Sequence, residues 1–148
     1  PRMNIKTTLA TFALLAAASL AQAQTTPAGL WKTIDDDGKT EKSLVRIVDT
    51  AGVLSGKVEK IFDAAKQDAK CEECSDARKG QPVLGLTIIQ GVKANAGEAG
   101  LWDGGEILDP NNGKTYKVRL TPKDGGKTLE VRGFIGFLYR NQTWQRVE

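Results

Sequence analysis

Apolar and polar residues alternate most clearly in the last third of the chain. Over 114–121 and again over 128–135, apolar side chains recur at alternate positions with charged or polar side chains between them. A period of two predicts β-strands with one buried and one solvated face, and antiparallel sheets are the usual setting for such strands. With a third run over 137–147 and an Asp-Gly-Gly turn at 124–126, the pattern predicts three consecutive antiparallel strands.

Shorter runs of the same kind precede this region. They predict strands at 29–34, 43–49, 53–62, 83–92 and 101–108, separated by turn signals such as the Asn-Gly pair at 112–113. Residues 63–82 interrupt the rhythm and predict a long surface loop with one short helical turn. Seven or eight short strands predict an all-β sandwich or barrel. We favour an antiparallel up-and-down barrel, because closure leaves no exposed strand edge.

The first residues have the pattern of a secretory leader instead of a folded element. Lys6 precedes an apolar, alanine-rich run over 9–20, and an Ala-Gln-Ala sequence follows at 21–23. A positive end, a short apolar run and an Ala-x-Ala site predict a signal peptide over 1–23. A run of twelve residues is too short to span a bilayer, so we expect no stable membrane anchor. The predicted location is the periplasm or the medium.

Cleavage after Ala23 leaves 24–148, which has the length of a single domain. Pro1 and Arg2 precede the first methionine and are interpreted as a cloning scar or a misplaced start. The whole chain has 21 basic and 18 acidic residues, and the leader removes two of the basic ones. The remaining near-neutral charge gives no reason to expect a nucleic-acid partner.

Candidate chemistry is sparse. The chain has no histidine, the commonest general base and metal ligand, so we expect no enzyme, catalytic residue, cofactor or metal site. Asp103, Glu106 and Asp109 are close in sequence, but turn and rim positions explain them better than paired catalysis. The acidic turn at 35–38 resembles the start of a calcium loop, but the remaining ligands are missing.

Cys71 and Cys74 are the two cysteines of the chain. In an oxidising compartment we expect them to form a disulfide. A redox pair is an alternative, but the acids around the motif raise a thiol pKa, which is the wrong direction for that chemistry. A soft metal ion is a second alternative, although a closed zinc site requires four ligands.

The predicted closure brings the two ends of the mature chain together. Trp31, two residues after Gly29, would then fill one end of the barrel and approach Trp144. An arginine of the last strand would cover its ring through a cation–π contact; Arg146 is the first candidate and Arg140 the second. The glycines at 133 and 136 predict a bulge that coils the sheet, with close approach of a ligand or backbone as the alternative.

The chain resembles the DUF2147 family, small exported bacterial proteins of uncharacterised function. The resemblance rests on Gly29-Leu30-Trp31, the acidic turn ending at Gly38, Cys71-x-x-Cys74, Gly105-x-Ile107-Leu108-Asp109-Pro110-x-x-Gly113-Lys114-x-Tyr116, Val131-Arg132-Gly133-x-Ile135-Gly136 and Thr143-Trp144-x-Arg146-Val147. These pieces span nearly all of the mature chain. The resemblance implies a lipocalin-type barrel of about eight strands, and hence a cup for a small ligand.

Our first functional hypothesis is an exported protein that holds one small apolar or amphipathic molecule in the barrel lumen. The candidate lumen residues are Val45, Ile47, Leu54, Val58, Tyr116, Val118, Leu120, Leu129, Val131, Gly133 and Tyr139. The alternative is a solid barrel that acts as an envelope interaction or structural protein through the 63–82 loop and the rim. The sequence names no protein partner.

Overall fold

A computed structural model of the chain describes residues 25–148. The predicted signal peptide therefore lies outside the described residues. Within 25–148, no helix has both the length and the apolar character that a membrane crossing requires.

Over these residues the chain forms eight strands that follow one another around a closed antiparallel barrel. The strands are β1 (Gly29–Ile34), β2 (Glu41–Thr50), β3 (Val53–Ile61), β4 (Thr87–Ala94), β5 (Trp102–Asp109), β6 (Lys114–Lys123), β7 (Thr128–Ile135) and β8 (Leu138–Arg146). Each pairs with its sequence neighbours, and β1 closes on β8 with Trp31 opposite Arg146. The predicted all-β, up-and-down barrel is confirmed. Turns in the sequence join most successive strands as hairpins, and the long segment between Ile61 and Thr87 joins β3 to β4.

Glycines in β3 and β5 allow the sheet to coil tightly. The register of β3 on β4 shifts at Gly56, where a Cβ would lie only 3.1 Å from Ile89 Cβ. The register of β5 on β6 shifts between Trp102 and Gly105, and a Cβ at Gly105 would overlap the backbone of β4. Such irregularities bend strands and increase their twist.

The bulge predicted at 133 and 136 is wrong. Gly133 pairs in unbroken register with Val118 on one side and Arg140 on the other. Gly136, with a φ of 58°, belongs to the turn between β7 and β8 instead. The region that resembled a bulge is therefore a regular strand end followed by a hairpin turn.

Strand β4 begins later than predicted, at Thr87 instead of 83, and the preceding segment completes the barrel wall. Val58 of β3 donates its N–H to the Leu86 carbonyl at 3.0 Å and accepts from the Gly85 N–H at 2.8 Å. The loop before it carries a Cys71–Cys74 disulfide that lies in the hydrophobic core with both cysteines at most 1% exposed. The 63–82 segment is thus packed against the barrel and is partly buried.

Arg146 closes the end of the barrel where the chain enters and leaves. Its guanidinium lies 4.2 Å from the centre of the buried Trp31 ring. It donates hydrogen bonds to the carbonyls of Ala28 and Thr26 at 2.9 and 2.7 Å, and to that of Gly126. Burial lowers the pKa of Arg146, but a guanidinium stays protonated at physiological pH. One side chain therefore ties the N-terminal segment, the β6–β7 turn and β8 together.

Candidate functional site

A cavity of about 310 Å³ opens at the opposite end of the barrel. It lies inside the ends of the strands that are joined by the β1–β2, β5–β6 and β7–β8 turns and by the long β3–β4 loop. The lining residues are Thr33, Ile34, Asp35, Thr40, Glu41, Lys42, Ser43, Val58, Ile61, Asp63, Lys66, Ala69, Val83, Ile88, Ile107, Leu108, Asp109, Pro110, Asn111, Tyr116, Val131, Gly133, Arg140, Gln142 and Trp144. The lumen is therefore a cup with one open end.

The inner part of the cavity is apolar. Val58, Ile88, Val131 and Trp144 line it and are nearly inaccessible to water. Ile107 is partly buried against the same cluster. Burial of apolar ligand surface against such residues is the main source of affinity in small-molecule pockets.

The rim of the cavity is polar, and Arg140 is its central charge. The Arg140 guanidinium lies 3.3 Å from an Asp36 carboxylate oxygen and 3.1 Å from one of Asp109. It also lies over the ring of Tyr116, 5.5 Å from its centre. Burial lowers the pKa of Arg140, but the hydrogen bond to Asp109 and the charges of both aspartates outweigh it and raise that pKa above its ordinary value.

A chain of hydrogen bonds connects this rim to the apolar floor. The Gln142 side-chain amide donates to Asp36 at 2.8 Å, and its carbonyl oxygen accepts from the Trp144 indole N–H at 2.9 Å. Arg140, Gln142 and Trp144 are alternate residues of β8, so their side chains share the lumen face. The rim and the floor are consequently positioned by the same strand.

The β3–β4 loop forms one wall of the cup and is fastened at several points. Arg78 pairs with Asp76 and also donates to the Thr87 carbonyl at 3.0 Å, which attaches the loop to the start of β4. This pairing lowers the pKa of Asp76 from 3.8 to about 2, chiefly through the side-chain hydrogen bond. At the β5–β6 turn, a Cβ at Gly113 would overlap the Glu73 carbonyl, so the turn and the disulfide loop are in direct backbone contact.

The eleven residues predicted for the lumen occupy three different environments. Four of them line the cavity: Val58, Tyr116, Val131 and Gly133. Six others fill the closed half of the barrel as core, each at most 2% exposed: Val45, Ile47, Leu54, Val118, Leu120 and Leu129. Side chains in the closed half pack against one another, so the cavity is confined to the open end of the barrel.

Tyr139 was placed in the lumen wrongly. It is 58% exposed and lies on the outer face, where its ring contacts that of Phe134 with the centres 5.8 Å apart. The alternation of side chains along β8 predicts this outward position. Trp144 is buried, and a residue five positions away must face the other side of the strand. Aromatic character alone does not place a side chain in the lumen. The residue next to Tyr139 that faces the lumen is Arg140.

Arg140 also lies away from the place considered for it. The cation over Trp31 is Arg146, whereas Arg140 is at the mouth over Tyr116. Gly29 and Trp31 lie at the closed end, where Leu30 exchanges backbone hydrogen bonds with the last two residues of the chain. Trp144 is buried and reaches the floor of the cavity.

A search for apolar lumen residues does not find Arg140 and Gln142, which line the cavity, or Asp36, which bonds to both of them. Nor does it find Ile88 and Ile107, which lie in strands with weak alternation. The carboxylates considered for catalysis do not converge: Asp103 accepts from Asn95 at 3.0 Å near the closed end, and Asp109 lies at the mouth.

Comparison with solved structures finds a similar fold in protein HP1028 from the human pathogen Helicobacter pylori, described as belonging to the lipocalin family. The TM-score is 0.70 over 84% of each chain, at 19% sequence identity. That identity shows a common fold alone. Comparison with curated proteins gives no match.

The comparison with protein families is more direct. The sequence profile of a family described as "Uncharacterized protein conserved in bacteria (DUF2147)" matches residues 29–146. This span runs from the first strand to the end of the last one and confirms the resemblance seen in the motifs. The chain therefore belongs to the DUF2147 family of uncharacterized proteins conserved in bacteria.

Proposed function

We propose that this chain is an exported binding protein that holds one small amphipathic molecule in the mouth of its barrel. The observation that carries the proposal is the cavity of about 310 Å³, with an apolar floor and a charged rim. Its position, in the open end of a lipocalin-like barrel, supports the same proposal. The signal-peptide pattern of the first 23 residues supports export.

The size of the cavity limits the ligand. A volume of 310 Å³ corresponds to roughly ten water molecules at about 30 Å³ each, and it is at the low end for small-molecule sites. The core side chains of the closed half prevent a long chain from passing deeper. The proposed ligand is accordingly short or compact, with its apolar part against Val131, Ile88 and Trp144.

The rim determines the head group. Arg140 is held between two carboxylates and still presents N–H groups beyond those bonded to Asp36 and Asp109. Lys42 and Lys66 are further cations of the lining. The head group that fits is a hydrogen-bond acceptor, for example a carboxylate or an ester, that is bound by Arg140 and approached by the Tyr116 hydroxyl.

Mass spectrometry of protein purified from its own host, before and after organic extraction, tests whether a small molecule is bound. A second test is displacement of a fluorescent alkyl probe by a chain-length series of fatty acids and alcohols. We expect affinity to rise with chain length and then to stop rising once the cavity is full. Loss of each buried methylene costs about 0.8 kcal/mol, which makes the limit easy to observe.

Cavity-filling variants provide the control. Gly133→Leu adds a side chain into the space beside Tyr116 and should weaken probe binding at least tenfold, whereas Gly133→Ala should have a small effect. Thr115→Leu places a leucine on the exposed outer face of β6 instead and should leave probe binding unchanged. Absence of any extractable molecule, together with equal probe binding by the Gly133→Leu and Thr115→Leu proteins, would contradict the proposal.

The alternative, a solid barrel that works through the 63–82 loop and the rim, draws support from the filled closed half. Against it, Lys66 and Ala69 of that loop line the cavity, which gives the loop a role as a wall. Charge reversal at the exposed Glu72 and Glu73 distinguishes the two. It should leave probe binding intact, and loss of a captured partner protein in those variants would favour the alternative.

A further inference from the structure

The turn between β7 and β8 presents an apolar tip to solvent. Phe137 is 91% exposed, Leu138 66% and Ile135 50%. With Tyr139 they form a cluster of large apolar side chains at consecutive or nearly consecutive positions. Contiguous exposed apolar side chains of this kind mark interaction surfaces, whereas isolated ones are normal.

Two arginines lie directly behind this tip on the outer face of the barrel. The Arg132 guanidinium is 4.5 Å from the centre of the Tyr139 ring, and that of Arg119 is 5.1 Å from the Phe134 ring. The two rings are also in contact with each other. The surface therefore combines apolar side chains at the apex with two arginines that pair opposite each other further along β6 and β7.

This layering fits the boundary of a phospholipid bilayer. Apolar and aromatic side chains enter the acyl region, aromatic rings settle at the head groups, and arginines reach the phosphates. Arginine binds phosphate through paired N–H groups. A protein partner is a poorer fit, since a stable interface uses about 20–30 residues a side and the apolar tip has four.

The tip is also continuous with the mouth of the cup. Ile135 and Leu138 are opposite each other in the hairpin, and strand parity places them on the same face as Gly133 and Arg140. A bilayer that receives the tip would therefore lie next to the cavity opening.

We propose that the β7–β8 hairpin tip docks this protein on an anionic phospholipid bilayer, with the cavity mouth facing the lipid. Phe137 and Leu138 supply the insertion and Arg119 and Arg132 supply the contacts to lipid phosphates. The docking stands independently of which molecule the cavity holds, so its failure leaves the ligand proposal untouched.

Vesicle co-sedimentation tests the docking, with the chain exported by an expressing bacterium and its N-terminus verified by mass spectrometry. The vesicles are phosphatidylethanolamine with or without phosphatidylglycerol. The double variant Phe137→Ser/Leu138→Ser should reduce the vesicle-bound fraction at least about tenfold, because it removes two large apolar side chains from the membrane-facing tip. Val48→Ser removes another exposed apolar side chain, on β2, and should bind like the parent chain.

Charge-removal variants separate the contribution of the arginines to vesicle binding from that of the inserted apolar side chains. Arg119→Gln should lower binding to vesicles that contain phosphatidylglycerol and leave binding to neutral vesicles unchanged. Lys57→Gln, a charge removal on β3, should leave binding to both kinds of vesicle unchanged. In a third arm, Phe137→Trp should gain fluorescence that brominated lipids quench, measured as the difference from the parent protein.

Three results would overturn the docking proposal. The first is a parent protein that does not sediment with either vesicle. The second is sedimentation that the Phe137→Ser/Leu138→Ser variant retains. The third is a parent dimer that this variant converts to a monomer without any effect of vesicles, which would assign the tip to a second copy of the chain. A midpoint of thermal unfolding equal to that of the parent protein shows that each exposed substitution leaves the fold intact.

Discussion

Replacement of Arg146 by methionine should destabilise the barrel more than any other loss of a single partly exposed charge. Methionine keeps most of the aliphatic stem, so the change removes the charge and the donors without a large cavity. In the parent protein these donors satisfy the carbonyls of Thr26, Ala28 and Gly126. The guanidinium also covers the buried ring of Trp31 at 4.2 Å.

The magnitude follows from these contacts. Hydrogen bonds from a charged donor contribute about 1.5–3 kcal/mol each, and a cation–π contact contributes about 0.5–2 kcal/mol. Arg146 is only partly buried, so water can replace some of the lost bonds and the contributions do not add in full. We therefore expect a loss of about 3 kcal/mol in the free energy of unfolding, a large share of the 5–15 kcal/mol typical of a domain.

Equilibrium unfolding in urea measures the loss, with two comparisons. Arg146→Lys keeps the charge but not the planar set of donors, and it should recover less than half of the stability. Arg132→Met is the matched control, since Arg132 also stacks on a ring, that of Tyr139, but on the outer surface. That control should lose less than about 1 kcal/mol. Equal losses in the two methionine variants would refute the assignment of a special role to Arg146.

Three further predictions concern the loop that forms the cavity wall. The Cys71→Ser/Cys74→Ser double variant should lose about 2 kcal/mol, the value for a short closed loop, and should bind the alkyl probe more weakly because the wall loosens. In Arg78→Gln, the pKa of Asp76 should rise from about 2 toward 3.8, as followed by NMR, because the side-chain hydrogen bond is its largest cause and the backbone N–H of residue 78 still donates. The stabilisation from this pair is therefore present above pH 3.8 and is lost as the pH falls through about 2 in the parent protein. Gly113→Ala should cost at least about 1 kcal/mol in thermal unfolding, because φ is 70° there and a Cβ would enter the disulfide loop.

The strands could be predicted because a strand with one buried and one solvated face alternates apolar and polar residues in the sequence. Strands β1 and β7 were predicted with the bounds they have, and β3 was one residue too long. The start of β4 could not be found in this way. The stretch over 83–86 is as apolar as a strand, but Gly85 has a φ of 86° and turns the chain there. Long-range packing, not local pattern, makes Leu86 part of the wall.

The candidate site was predicted less completely, for a physical reason. At the mouth of the barrel the inward-facing residues are polar, whereas deeper in the barrel they are apolar. Apolar character therefore does not identify the inward-facing residues over the whole length of one strand. In β8 the inward residues are Arg146, Trp144, Gln142 and Arg140, and the apolar Tyr139 faces out. The burial of Trp144 determines the parity of the whole strand, and this one position is enough to place the others.

The residues on the inward face of β7 explain why the barrel has an open cavity at one end. Along the inward face of β7, Leu129 is buried in the filled half, Val131 lies at the floor of the cavity and Gly133 lies beside it. A Cβ at Gly133 would be 3.4 Å from Tyr116 Cβ, an ordinary contact, so backbone geometry does not demand glycine here. The missing side chain instead leaves volume beside Tyr116. Gly133 thereby helps to keep the mouth open, and its replacement by leucine is the most direct way to convert the cup into a solid barrel.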